Sequence, residues 1–172
     1  MQTKQKIQQN LYKKMIETRK QRLRSSFKPF TGVSNRLEEV GVKNGVAFIN
    51  DSKAENVNAT YFALKSIKKP IIWIAGGEDA QTDYWELMSL VRQKVEAIIM
   101  IGRNNERLYH FFSPVISQMY EVDDMCEVVR LAYSLSEQGT TVLLSPACKP
   151  DMNFANYSER GLAFVNAVKN NI

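Results

Sequence analysis

Between residues 46 and 144, short and almost uninterrupted apolar runs alternate with longer stretches in which apolar positions recur every three or four residues. Runs of that length read as strands buried on both faces, and the longer stretches read as amphipathic helices. The spacing predicts an opening hairpin, with strands from Arg36 to Val42 and Val46 to Asn50 around Lys43-Asn44-Gly45, because Asn-Gly suits a tight two-residue turn. Next come a helix from Val57 to Lys68 halted before Pro70, a strand from Ile71 to Ala75 ending in Gly76-Gly77, a helix from Asp83 to Lys94 and a strand from Ala97 to Ile101. A short helix from Asn105 to Phe112, a weaker strand from Gln118 to Val122, a helix from Asp124 to Gln138, a strand from Thr141 to Leu144 and a helix from Tyr157 to Asn170 complete the order. Asp124 with Glu127 forms a capping box for its helix, and Gly139 ends it.

This alternation is that of a Rossmann-like α/β domain. A mostly parallel sheet with an antiparallel edge hairpin carries helices on both faces. Up to Arg24 the chain has no Gly or Pro, and Ile7, Leu11 and Met15 recur every fourth residue, which predicts an N-terminal basic helix. Pro29 and Gly32 mark a linker, so the expected division is a basic helical arm and linker over 1–30 and an α/β domain over 31–172.

With 172 residues, 44% of them hydrophobic and 24% charged, the chain has the balance of a folded domain rather than a disordered one. Its net charge of +5 is uneven, since residues 1–24 hold eight Lys and Arg against Glu17 alone. Such an arm suits nucleic acid or an anionic membrane. The favoured expectation is instead that its narrow apolar stripe packs on protein while the lysines stay solvated. No apolar run is long enough to span a bilayer and no signal core follows Met1, so the expected location is cytoplasmic. Cys126 and Cys148 lack any C-x-x-C spacing and are expected to be reduced structural thiols; His110, flanked by aromatics, is expected to pack.

Ligands of open parallel sheets gather beyond the carboxyl ends of the strands. Three polar segments fall there: Asn50 to Asn56, Gly76 to Ala80, and Ser145 to Cys148. The first offers a carboxylate, a hydroxyl, an ammonium and an amide just before a helix, which serves equally as a cap or as a phosphate or ribose site. Neither G-x-G-x-x-G nor G-x-x-x-x-G-K-[ST] occurs, so no triphosphate cradle is expected within these residues.

Five motifs in order carry a resemblance: G-V-x-x-R-L-E at Gly32 to Glu38, F-I-N-D-S-K-A-x-N-V at Phe48 to Val57, I-W-I-A-G-G at Ile72 to Gly77, L-L-S-P-A-C at Leu143 to Cys148 and N-Y-x-x-R-G at Asn156 to Gly161. From about Thr31 onward the chain resembles the C-terminal domain of the Mur ligases, closest to UDP-N-acetylmuramoyl-L-alanine:D-glutamate ligase. The resemblance implies a domain that closes over a central P-loop domain, completes its ATP site and binds D-glutamate for attack on an acyl phosphate. It implies that Arg36 approaches the ATP phosphates and Asp51 contacts the nucleotide, with Lys53 and Asn56 in the same signature and Arg160 in the closing motif.

The glutamate-facing positions depart from the pattern. Asn35 replaces a His, Glu55 a Thr, Ala80 a Lys and Pro150 a Ser, while the closing aromatic is Tyr157. A dianion would lose a cation and meet Glu55, so an altered substrate pocket comprising Asn35, Glu55, Ala80, Pro150, Tyr157 and Arg160 is expected to have lost D-glutamate. Arg36 and Lys53 should form a small cationic surface that Asp51 orients while capping the helix at Val57. The resulting expectation is a non-catalytic binding or regulatory module related to peptidoglycan precursor synthesis. No catalytic residue and no metal ligand is assigned, and ATP and Mg are expected only if a partner P-loop ligase-like protein completes the site. The alternatives are one part of a split amide-bond ligase working in trans, and nucleic-acid or membrane binding through residues 1–24.

Overall fold

The computed structural model describes residues 34–172 except 69, 79, 80 and 103. The expected arm and linker over 1–30, and Ala80, lie outside the described residues. Six strands form one sheet in the order β1-β2-β6-β3-β4-β5. β1 (Glu38–Lys43) and β2 (Val46–Asn50) pair antiparallel, with Lys43 opposite Val46. Their turn residues Asn44 and Gly45 have φ of 50° and 82°, the left-handed pair that matches the twist of a two-residue hairpin.

The remaining strands are β3 (Ile71–Ala75), β4 (Val95–Ile101), β5 (Gln118–Val122) and β6 (Thr141–Leu144), each paired in parallel with its neighbours, β6 joining them to β2. The helices between and after them are α1 (Val57–Ser66), α2 (Met88–Lys94), α3 (Glu106–Phe112), α4 (Met125–Ser134) and α5 (Tyr157–Asn171). Strand side chains alternate between two layers. Trp73, Ala75, Ile98, Met100 and Leu143 join Leu64 of α1, Val91 of α2 and Phe112 of α3 on one face. Ile72, Ile74, Ile99 and Leu144 join Val129 of α4 and Phe164 of α5 on the other. The result is the doubly covered α/β sheet expected from the sequence.

Several boundaries move for local reasons. β1 starts two residues later than its pattern because Asn35 and Leu37 sit at φ 67° and 45°, and left-handed backbone cannot extend a strand. Only Met88–Lys94 of the expected 83–94 helix is α-helical. The Asp83 carboxylate accepts the Trp85 amide at 3.0 Å and a 3₁₀ turn over Trp85–Leu87 takes up the rest. α4 ends at Ser134, where the Ser134 and Ser136 hydroxyls donate back to Leu131 and Ala132 carbonyls at 2.8 and 2.7 Å. α2 runs directly into β4, and Lys94 Nζ donates to the carbonyls of Leu64, Lys65 and Ile67 at 2.7, 2.9 and 2.6 Å, satisfying the C-terminal end of α1.

Cys126 and Cys148 form no disulfide with each other, in line with the expected reduced thiols, and Cys148 is buried beside the Tyr84 hydroxyl at 3.2 Å. His110 is exposed against Tyr109, a surface packing position. Among the described residues no helix is long and apolar enough to cross a membrane.

Candidate functional site at the strand ends

The strand order makes neighbours of β2, β6 and β3, and so gathers at one end of the sheet the three polar segments that the sequence scatters over about a hundred residues. Backbone bonds join them. Asp51 N donates to Leu144 O at 2.8 Å, Ala147 N to Ala54 O at 2.9 Å, Gly76 N to Pro146 O at 3.0 Å and Glu78 N to Lys149 O at 2.9 Å. Gly77 is required by this closeness, because it sits at φ 135° and a Cβ there would collide with the Lys149 carbonyl.

At the centre lies Asp51, 5% exposed at the end of β2. Its Oδ1 accepts the Leu37 amide at 3.2 Å and its Oδ2 accepts the Ser145 hydroxyl at 2.9 Å. Ser145 Oγ is also 3.0 Å from Thr60 Oγ1, whose hydroxyl donates to the Ser145 carbonyl at 3.3 Å. Burial pushes the Asp51 carboxyl up to about 6, against the lowering effects of the Ser145 and Leu37 hydrogen bonds and of Arg36. Asp51 does not cap the following helix. That role belongs to Asn56, whose Oδ1 accepts Ala59 N at 2.9 Å, because Asn56 directly precedes Val57 while Asp51 still belongs to the strand end.

Arg36 is exposed on a bend bounded by the left-handed residues Asn35 and Leu37. The bend is tied to the β2 end by three bonds: Asn50 Nδ2 to Asn35 Oδ1 at 3.1 Å, Leu37 N to Asp51, and Lys53 N to Asn35 O at 3.0 Å. Glu38 accepts the Asn35 amide at 3.0 Å. Lys53 is half-buried, with Nζ 5.5 Å from the ring centroid of Tyr157.

Arg160 is not a pocket residue in this fold. It is 1% exposed, and its guanidinium donates to the carbonyls of Ser52 at 2.9 Å and Cys148 at 3.2 Å, locking the β2 and β6 loops together beneath the surface. Burial lowers it to about 10, with Glu55, Cys148 and Asp151 pulling the other way. Arginine suits this place because its fork reaches two carbonyls at once.

Beside these groups opens a cleft of about 340 Å³ whose lining includes Glu55, Asn56, Asn58, Asp83, Glu86 and Ala147. Its charged groups are all carboxylates, and Arg36, Asp51, Lys53, Pro150 and Tyr157 do not line it. Among the described residues no group of three or more His, Cys, Asp or Glu is arranged to hold a metal ion. Glu55 and Asn56 thus line the cleft while Arg36 does not, and Pro150 stands half-buried beside the Glu78–Lys149 bridge. Sequence reasoning passed over Ser145 as the partner of Asp51, Thr60 as the partner of Ser145, and Asp83 and Glu86 as cleft residues. Thr60 carried one signal, a hydroxyl on the helix face otherwise filled by Ala63 and Leu64.

Comparison with known proteins places this geometry. A family described as "Mur ligase, glutamate ligase domain" matches residues 35–148. UDP-N-acetylmuramoylalanine–D-glutamate ligase of Christiangramia forsetii is 45% identical over 161 residues, 94% of this chain and 36% of that enzyme. The same ligase of Porphyromonas gingivalis is 42% identical over 157 residues, 91% of this chain and 35% of that enzyme. This chain therefore spans about a third of the length of the ligases it matches, and the first alignment extends into the basic segment. Among solved structures, folylpolyglutamate synthase of Mycobacterium tuberculosis in complex with ADP aligns with a TM-score of 0.57 at 10% identity, over 79% of this chain and 32% of that one. UDP-N-acetylmuramate-alanine ligase of Thermotoga maritima aligns with a TM-score of 0.53 at 14% identity, over 81% and 31%. The likeness to these two is one of fold. With the matching segment taking in Arg36, Asp51, Lys53 and Ser145, the chain belongs to the Mur ligase family through its glutamate ligase domain.

Proposed function

We propose that this domain is a nucleotide-facing, non-catalytic module related to peptidoglycan precursor ligases, in which the surface carrying Arg36, Asp51 and Lys53 is kept and D-glutamate binding is lost. The observation that carries the reading is the split between two neighbouring surfaces. Arg36 is held exposed beside the strand ends, while the adjoining cleft presents Glu55, Asp83 and Glu86. A phosphate-bearing ligand gains a cation from the first surface. A dicarboxylate meets like charge in the second, and at a protein surface that repulsion costs on the order of a kcal/mol or more.

A second reading has its own support. The ligases that match are about three times longer than the aligned region, so a ligase role for this domain would call on a P-loop domain beyond these residues, in the same chain or in another, and ATP and magnesium would enter only in that assembly. The alignment into the basic segment favours a ligase-like role for residues 1–24 over nucleic-acid or membrane binding.

Titration of the full chain with ADP and, separately, D-glutamate, followed by amide chemical shifts, tests the proposal. ADP is expected to shift Arg36 and residues 51–56 with a dissociation constant of about a millimolar, the range for one domain's worth of contacts. Saturable shifts with D-glutamate around Glu55, Ala80 and Lys149 would overturn it. ATP-dependent ligation on adding a P-loop partner would establish the second reading.

A further inference from the structure

We propose that Asn44 is a modification site for spontaneous loss of its side-chain amide, held shut by the Tyr133 hydroxyl and opened when the hairpin tip lifts from the last turn of α4. It is independent of what the strand-end surface binds.

The turn dictates the reactive pair. Asn44 and Gly45 are exposed and sit at φ 50° and 82°, a left-handed pair that few residue types tolerate. Gly45 is required a second time, because a Cβ there would meet Gln138 Cγ at 2.6 Å. The same glycine leaves its backbone nitrogen unhindered, since there is no side chain to crowd its approach to the Asn44 side-chain carbon. In the reaction Gly45 N gives up its proton and bonds to Asn44 Cγ. The Cγ–Nδ2 bond breaks, and Nδ2 leaves as ammonia with that proton. Water then opens the resulting succinimide, at Cγ to give aspartate or at the Asn44 main-chain carbonyl to give isoaspartate. Water is consumed, ammonia is released and nothing is oxidised.

The folded chain opposes each part of this closure. In a turn of this type the first left-handed residue has ψ of about 30°, which puts its Cβ and the next nitrogen on opposite sides of the Cα–C bond. Ring formation therefore needs the turn to unwind. The leaving group is also tethered, because Asn44 Nδ2 donates to the Tyr133 hydroxyl at 2.7 Å. Tyr133 lies in the last turn of α4 and packs on Phe48 of β2 with ring centroids 6.3 Å apart. Gly139 N donates to Gly45 O at 3.0 Å and Ala47 N to Thr140 O at 3.1 Å, so backbone ties hold the tip to the segment between α4 and β6. Asn44 Cγ reaches Gly45 N only once these ties part. An isoaspartate carries an extra main-chain atom between Lys43 and Val46, which face each other in register, so a tip that has reacted this way does not return to the same hairpin.

The full chain, incubated in mildly alkaline buffer and digested, is followed by mass spectrometry for conversion of Asn44 to aspartate and isoaspartate. Tyr133→Phe keeps the ring that packs on Phe48 and removes the hydroxyl alone. Conversion at Asn44 is expected to rise about fivefold to tenfold, the rate equivalent of one hydrogen bond. Exposed Asn153 and Asn170 serve as internal references and should keep their rates. Equal rates at Asn44 in the parent and in Tyr133→Phe, or an acceleration that Asn153 and Asn170 share, would overturn the proposal. If Tyr133→Phe fails to give a dispersed amide spectrum, the parent chain supplies the test. Unfolded in denaturant, its Asn44 is expected to convert on the order of tenfold faster or more than in the folded chain, and equal rates would show that the fold does not guard it.

Discussion

The Ser145 hydroxyl stands 2.9 Å from Asp51 Oδ2 and 3.0 Å from Thr60 Oγ1, two acceptors for one hydrogen. When Asp51 is ionised, Ser145 donates to it and the Thr60 oxygen receives nothing from Ser145. When Asp51 is protonated it donates to Ser145, Ser145 to Thr60 and Thr60 to the Ser145 carbonyl at 3.3 Å, so every hydrogen in the chain is used. Donation from Ser145 to the ionised carboxylate works against desolvation, which is the larger effect and leaves the Asp51 carboxyl raised.

Stability should follow that proton. The folded carboxyl titrates near 6 and the unfolded one near 3.8, so between those values the folded state binds more protons and stability falls as pH rises. The contribution is complete below about pH 4 and gone above about pH 6, an upper limit of about 3 kcal/mol for a shift of this size. Thermal melts from pH 4 to 8 should show the decline in the parent chain and a flatter profile in Asp51→Asn. Equal profiles would mean that Asp51 titrates as an ordinary surface carboxylate.

Trp73 links the core to the same network. It is fully buried, packs edge-on to Phe112 with ring centroids 5.5 Å apart, and donates Nε1 to the Ser145 carbonyl at 2.8 Å. Trp73→Ala is expected to cost about 3 to 5 kcal/mol in chemical denaturation, the usual range for a large aromatic removed from a core. Trp73→Phe keeps most of the volume and should cost less, while still perturbing the Ser145 carbonyl resonance.

Gly161 inverts a familiar preference. Gly to Ala in a helix ordinarily gains up to about 1 kcal/mol. Here a Cβ would run into the Asn35 side chain and come within 3.1 Å of Asn50 Nδ2, so Gly161→Ala should destabilise by about 1 to 3 kcal/mol through overpacking. Adding Asn35→Ala should recover part of that loss, and additive effects of the two substitutions would refute the contact.

Lys94 is a structural cation. Its three donors all go to carbonyls at the end of α1. Lys94→Met keeps the aliphatic stem and should cost about 1.5 to 3 kcal/mol, since charge-assisted hydrogen bonds are lost at a helix C-terminus. The loss should appear as faster amide exchange in the last turn of α1.

Periodicity made the strands legible, and β2, β3, β5 and β6 have the bounds their apolar runs predict. It could not reveal that β6 lies between β2 and β3, because hydrophobic alternation records which strands are buried and not which are adjacent. That adjacency is what joins Asp51 to Ser145, so the segments of the site were legible while their network was not. The 35–37 bend escaped for another reason: Asn tolerates left-handed backbone, but nothing in the residue Leu37 marks it as the second such position. Arg160 was legible as important from its motif, yet its burial as a loop lock depends on carbonyls that sequence does not display.

The position of β6 also governs the order in which the chain can be completed. Before residues 141–144 are available, the β1-β2 hairpin and the β3-β4-β5 sheet have no strand in common, and each offers an unpaired edge of apolar residues. On a ribosome those edges wait for the last of the six strands, an interval in which strand-to-strand association between nascent chains competes with folding. Once β6 is inserted it serves as a keystone. The pairings that close the sheet span long stretches of sequence, which slows folding, and the elements that build the strand-end surface come together in that single late event.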